Sequence, residues 1–132
     1  MKISVRSLTR IVVALLTGSL VSVVPSAIFL FYETPNTDWF VTGLLLAVPV
    51  YFLISFAFLL VVMLPLHLLV LSRVNAGWWV YSSIGLFCAI GIGIGFDLFT
   101  GGWSPLREYV YMAGLGLVVS FAFWYVLRPR AV

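Results

Sequence analysis

The sequence predicts an all-α integral membrane protein, folded as one four-transmembrane-helix antiparallel bundle over residues 1–132. Three observations carry that prediction. The chain is 64% hydrophobic and only 8% charged, with a mean hydropathy of +1.21; a soluble domain carries about a quarter charged residues. Its apolar runs reach the roughly 20 residues that cross a hydrocarbon core about 30 Å thick. Its charges lie between and beyond those runs, segregated by sign.

The first run covers residues 11–32 and follows a basic lead, "MKISVRSLTR". A basic start before an apolar stretch is also the mark of a signal peptide. Here the run exceeds the usual length and continues past the one small-residue site, Ser26–Ala27, so a retained first helix is expected. "ETPNTD", residues 33–38, is a polar turn with Pro35 and Asn36 as breakers.

The second run, residues 39–71, is longer than one crossing needs but has no polar break at which to divide. One long helix is expected, tilted or kinked at Pro49 and Pro65. A variant of this reading starts an interfacial segment at Pro65, over residues 65–72. The bulk of Phe52, Phe56 and Phe58 suits a helix that faces lipid or another subunit.

"SRVNAG", residues 72–77, forms the next turn, and Trp78, Trp79 and Tyr81 open the third span as an aromatic belt at headgroup level. That span extends to about residue 96. A loop over residues 97–108 precedes the fourth span, residues 109–127. Short connections make sequential helices antiparallel neighbours.

In a four-span chain, Lys2, Arg6, Arg10, Arg73, Arg128 and Arg130 share one side. Glu33, Asp38, Asp97 and Glu108 share the other with Arg107, so six of the 7 cations fall together. The positive-inside rule makes the basic side cytoplasmic, with both termini inside. Cations at chain ends rather than in a patch give no sign of nucleic-acid binding. The one cysteine, Cys88, has no partner in the chain for a disulfide and reads as a small buried hydrophobe.

"GIGIGFDLFTGG", residues 91–102, tests the enzyme alternative. A phosphate loop needs a strand before it and a helix N-terminus after it, so that backbone N–H groups face the anion. Gly91, Gly93 and Gly95 lie inside an apolar span instead, in a pattern lacking the third Rossmann glycine and the Lys-Ser/Thr of a P-loop. Spacing by four residues gives a better account: Gly85, Ala89 and Gly93 form one row, Gly91 and Gly95 another. Small residues at this spacing let helix backbones approach inside lipid, where apolar burial supplies no drive. Ala14, Gly18, Ser22 and Ser26 repeat the device in the first span, and Gly116 and Ser120 in the fourth. Gly101 and Gly102 read as ordinary turn residues that tolerate substitution.

Candidate chemistry is sparse. His67, the single histidine, has neither a second ligand nor a nearby carboxylate with which to hold a metal, and an interfacial or interhelical hydrogen bond is its expected role. No ionisable residue occupies the centre of a span, which argues against a proton-coupled transporter. No cofactor, metal site or catalytic constellation is expected. The acid-bearing face brings Asp97, Trp103, Arg107 and Glu108 together as a candidate partner-binding surface, since Arg and Trp are enriched at binding hot spots. The expected function is therefore interaction: a small bacterial inner-membrane protein that binds a membrane-protein partner or itself, as an accessory subunit or a toxin-immunity protein does. The alternative is a small oligomeric transporter, channel or flippase-like protein.

Overall fold

The computed structural model describes residues 5–33 and 37–128, and all regular structure among them is helical. Lys2, Pro35, Asn36 and Arg130 lie outside the described residues, as do the side chains of Glu33 and Trp39. Four helical units are long and apolar enough to span a membrane: Val5–Tyr32, Phe40–Leu71, Trp78–Thr100 and Leu106–Leu127.

The first unit comprises α1 (Val5–Val21) and α2 (Val23–Glu33). It starts at Val5 rather than at residue 11, because the backbone ladder continues into the basic lead, whose long side chains reach water from a helix. Ser22 interrupts the unit. Pro25 lacks an N–H, and its ring crowds the carbonyl four residues back, at Val21. The backbone tightens in response, Ser22 N–H donating to the Ser19 carbonyl at 3.3 Å. Three buried serines then occupy local carbonyls: Ser19 Oγ donates to Leu15 at 2.7 Å, Ser22 Oγ to Ser19 at 2.6 Å and Ser26 Oγ to Ser22 at 2.7 Å. Back-bonding of this kind bends helices.

The second unit is one continuous helical rod. α3 (Thr37–Phe58) runs on through a π-helical turn at Leu59–Met63, a short α4 (Leu64–Leu66) and a second π turn at His67–Leu71. Pro49 sits inside α3 without breaking it. The irregularity gathers around Pro65, where a missing donor and a bulky ring are absorbed by widening the turns on each side. Irregular backbone thus gathers around Pro65, and around Pro25, which the sequence reading did not single out, while the α-helical assignment continues through Pro49.

α5 (Trp78–Thr100) and α6 (Leu106–Leu127) complete the bundle. Both exceed their expected limits at the loop between them. α5 continues one turn beyond residue 96 and stops at Gly101, which has a left-handed φ of 72°. α6 begins with Glu108 N–H donating to the Pro105 carbonyl at 2.9 Å. The predicted loop over 97–108 is therefore only "GGWSP", with Asp97 and Glu108 on helices.

Side-chain contacts fix the up-down-up-down order. Arg10 near the chain start reaches the carbonyls at the end of α6. His67, at the end of the second unit, bonds Tyr81 at the start of α5. At the other end, Tyr111 O–H donates to Ser26 Oγ at 2.9 Å, and its ring stacks on Phe29. Among described residues, Arg10, Arg73 and Arg128 share one end, and Asp38, Asp97, Arg107 and Glu108 the other.

α6 is central, packed on α5 along one side and on α1 along the other, while α3 leans on α1 and α2. The core centres on Leu59, Met63, Val119 and Phe123, all fully or almost fully buried, with Ile11, Ala14, Leu15, Leu71 and Tyr81 around them. The bulky second unit is the least buried: 11% of its most apolar window, against 33% in the first unit. It is not wholly outward-facing, however, for Leu59, Met63 and Leu71 enter the core, and Phe56 and Phe58 pack against it.

The small residues divide into two groups. A β-carbon on Gly85 would collide with the Gly116 carbonyl and Ser120, and one on Gly116 would collide with the Gly85 carbonyl and lie 2.7 Å from Ala89 Cβ. On Gly93 it would lie 2.7 Å from Met112 Sδ, and on Gly18, 2.6 Å from Leu59 Cδ1 and 3.3 Å from the Val119 carbonyl. Ala14 and Ser22 are buried as well. Gly91 and Gly95 face outward with nothing within 4 Å, so this second row makes no helix contact among the described residues. A spacing of four identifies a stripe on a helix, but does not say whether a neighbour covers it.

Candidate functional site

The acid-bearing end is organised by Asp97. Its carboxylate is buried and accepts from Ser104 N–H at 2.8 Å, Ser104 O–H at 2.7 Å and the Tyr109 hydroxyl. Three donors, two from Ser104 within the five-residue loop and one from Tyr109 beyond it, converge on one anion, and charge-assisted bonds of this kind are stronger than neutral ones. Asp97 is therefore a loop staple rather than a surface available to a partner. The grouping of Asp97 with Trp103, Arg107 and Glu108 is corrected to that extent. Trp103 and Arg107 are exposed, and Glu108 is half-buried at the start of α6. Trp103, together with Phe99 and Leu106, leaves a markedly exposed apolar rim around the loop.

The basic end holds a cavity of about 700 Å³, open to the surface. Its polar lining comes from every unit of the bundle: Arg10 from α1, His67 and Ser72 from the end of the second unit, Asn75 from the turn, Tyr81 from α5, and Arg128 after α6. Leu71, Leu127 and Trp124 supply apolar wall.

Local sequence explains each placement. The second π turn ends with Ser72 N–H donating to the His67 carbonyl at 3.0 Å, and Ala76 N–H reaches back to Leu71 at 3.1 Å. Asn75 closes the turn at a φ of 47°, a conformation its short polar side chain tolerates better than most. His67 Nδ1 lies 2.6 Å from the Tyr81 hydroxyl, and the imidazole meets the Phe123 ring edge to face. Tyr81 is thus buried and paired, unlike the exposed Trp78 and Trp79 beside it. Of the three aromatics expected to form a belt, Tyr81 is turned into the bundle and the two tryptophans remain exposed.

Arg10 occupies the C-terminus of α6. Its Nη2 donates to the Arg128 carbonyl at 2.7 Å and approaches those of Val126 and Leu127 at 3.4 and 3.5 Å. The last carbonyls of a helix lack intrahelical donors and carry partial negative charge, so a cation there satisfies both needs. The Arg128 guanidinium lies 4.0 Å from the centroid of Tyr125, within cation–π range.

Sequence reasoning treated His67 by itself and did not connect it with Tyr81, Arg10 or Arg128. The signal was present: His67 and Tyr81 flank the 72–77 turn at comparable distances, so an antiparallel pair sets them at one depth. Among described residues, no group of three or more His, Cys, Asp or Glu side chains comes together to hold a metal. Comparison with protein-family models, curated proteins and solved structures found no match for this chain.

Proposed function

We propose that this is a small multi-pass protein of a bacterial inner membrane, both termini cytoplasmic, that works by binding a membrane-protein partner or a second copy of itself. The carrying observation is how the bundle closes at mid-depth. Gly18 and Gly116, each near the middle of its span, leave no room for a β-carbon, with Leu59 and Val119 packed beside Gly18 and Gly85 and Ala89 beside Gly116. A substrate path needs polar lining at that depth, whereas the described cavity draws its lining from the basic end. The segregation of cations from acids supports the orientation.

Recognition is assigned to the acid-bearing end, where Trp103 is 78% exposed beside Arg107. Aromatic and arginine side chains dominate binding energy because each couples a large desolvatable surface to directed hydrogen bonds. A photo-crosslinking residue at position 103 is expected to yield one discrete protein adduct in intact membranes, weakened by Arg107→Ala and less so by Arg107→Lys. Lipid adducts alone, together with solute or lipid movement by the purified protein in vesicles, would overturn the proposal in favour of transport.

A further inference from the structure

The basic-end cavity presents two guanidinium-bearing residues, Arg10 and Arg128, from opposite ends of the chain, with no carboxylate side chain among the described residues of its lining. Gathering two like charges around one space raises the energy of that end unless an anion answers them. Arg10 does not discharge the site by binding the α6 carbonyls, since those are dipoles without net charge. Only Nη2 is engaged there, and a guanidinium carries five donors in a fixed fork. Ser72 and Asn75 add uncharged donors to the same wall. Trp124 and Leu127, half-buried against the core, add an apolar wall to the same space.

A polar, cationic cup that merges into an apolar wall matches a molecule with an anionic head and hydrocarbon chains. We propose that the cavity is a binding site for the phosphate headgroup of an anionic glycerophospholipid. The phosphodiester is held by Arg128 and by the outward donors of Arg10, with Ser72 and Asn75 bonding its oxygens or the glycerol hydroxyls. The acyl chains lie along Trp124 and Leu127. Exposed Trp78 and Trp79 on the same end set the headgroup level, so the site is at the depth where such a headgroup resides. Basic pockets between helices are the usual form of such recognition.

This assignment depends on membrane insertion, which resistance to carbonate extraction reads separately, and not on the partner-binding proposal. The test uses the full chain purified in a neutral detergent, titrated with phosphatidylglycerol, phosphatidylcholine or inorganic phosphate. Thermal midpoint and lipid retention by native mass spectrometry are the readouts. Phosphatidylglycerol is expected to raise the midpoint and remain bound, the other two ligands doing neither. Arg128→Gln is expected to weaken phosphatidylglycerol binding about tenfold or more, from loss of a charge-assisted contact. Arg107→Gln, at the opposite end, is expected to leave it unchanged. Equal stabilisation by phosphatidylcholine removes the role of charge, and equal stabilisation by inorganic phosphate reassigns the site to a free anion. Undiminished lipid retention in Arg128→Gln refutes the assignment, as does an equal loss in Arg107→Gln.

Discussion

Gly85 and Gly116 meet backbone to backbone across the α5–α6 interface, so that a β-carbon on either would collide with the carbonyl oxygen of the other. Backbone cannot yield as a flexible side chain does. Gly85→Ala and Gly116→Ala are therefore expected to destabilise the bundle by about 1–3 kcal/mol, the ordinary cost of overpacking.

The outward glycines give the opposite expectation. Gly91→Ala and Gly95→Ala add a methyl group in open space and gain up to about 1 kcal/mol of helix propensity each. Thermal denaturation in detergent should separate the two pairs by sign. Equal loss in all four variants would show that Gly91 and Gly95 are also covered, by a second copy of the chain. Gly101 does not belong with the tolerant group that its loop position suggested. At a φ of 72°, Gly101→Ala is expected to cost about 1–2 kcal/mol.

Asp97 offers a second test. Asp97→Asn keeps the shape but removes the charge and one acceptor. Its remaining oxygen can still receive Ser104 N–H and Tyr109 O–H, while the N–H₂ group faces the Ser104 hydroxyl, which can no longer donate to it. A loss of about 1–3 kcal/mol is expected. Tyr109→Phe should cost less, because only one of three donors disappears. Limited proteolysis of the 101–105 loop is the local readout. A loop that remains as protected in Asp97→Asn as in the wild type would rule out the staple.

The His67–Tyr81 pair yields a double-mutant cycle. Tyr81→Phe strips the partner from a half-buried imidazole, and His67→Leu strips it from a buried hydroxyl. Each is expected to cost about 1 kcal/mol, the scale measured for hydrogen bonds between membrane helices. The double variant should be milder than the sum of the singles, since replacing both partners by apolar groups leaves nothing unpaired. Strict additivity would mean that the 2.6 Å contact carries no coupling.

How much of this protein is legible in its sequence depends on the range of the interaction that decides each feature. Helicity, and the number and approximate limits of the helices long and apolar enough to span a membrane, are legible in the apolar runs alone, because a segment crossing lipid has to satisfy every backbone group within itself. The segregation of Arg10, Arg73 and Arg128 from Asp97 and Glu108 could likewise be read in one dimension, charge being a property of the loop rather than of the contact. The pairing of Gly85 with Gly116 could not, since one periodicity describes both that covered stripe and the bare one at Gly91 and Gly95. Asp97 looked like a surface acid, and became a buried staple only because the short loop returned Ser104 and Tyr109 to it. The basic cavity is wholly tertiary. Arg10 and Arg128 are separated by almost the entire chain, and nothing local in either sequence neighbourhood brings them together; the antiparallel closure of α1 against α6 does.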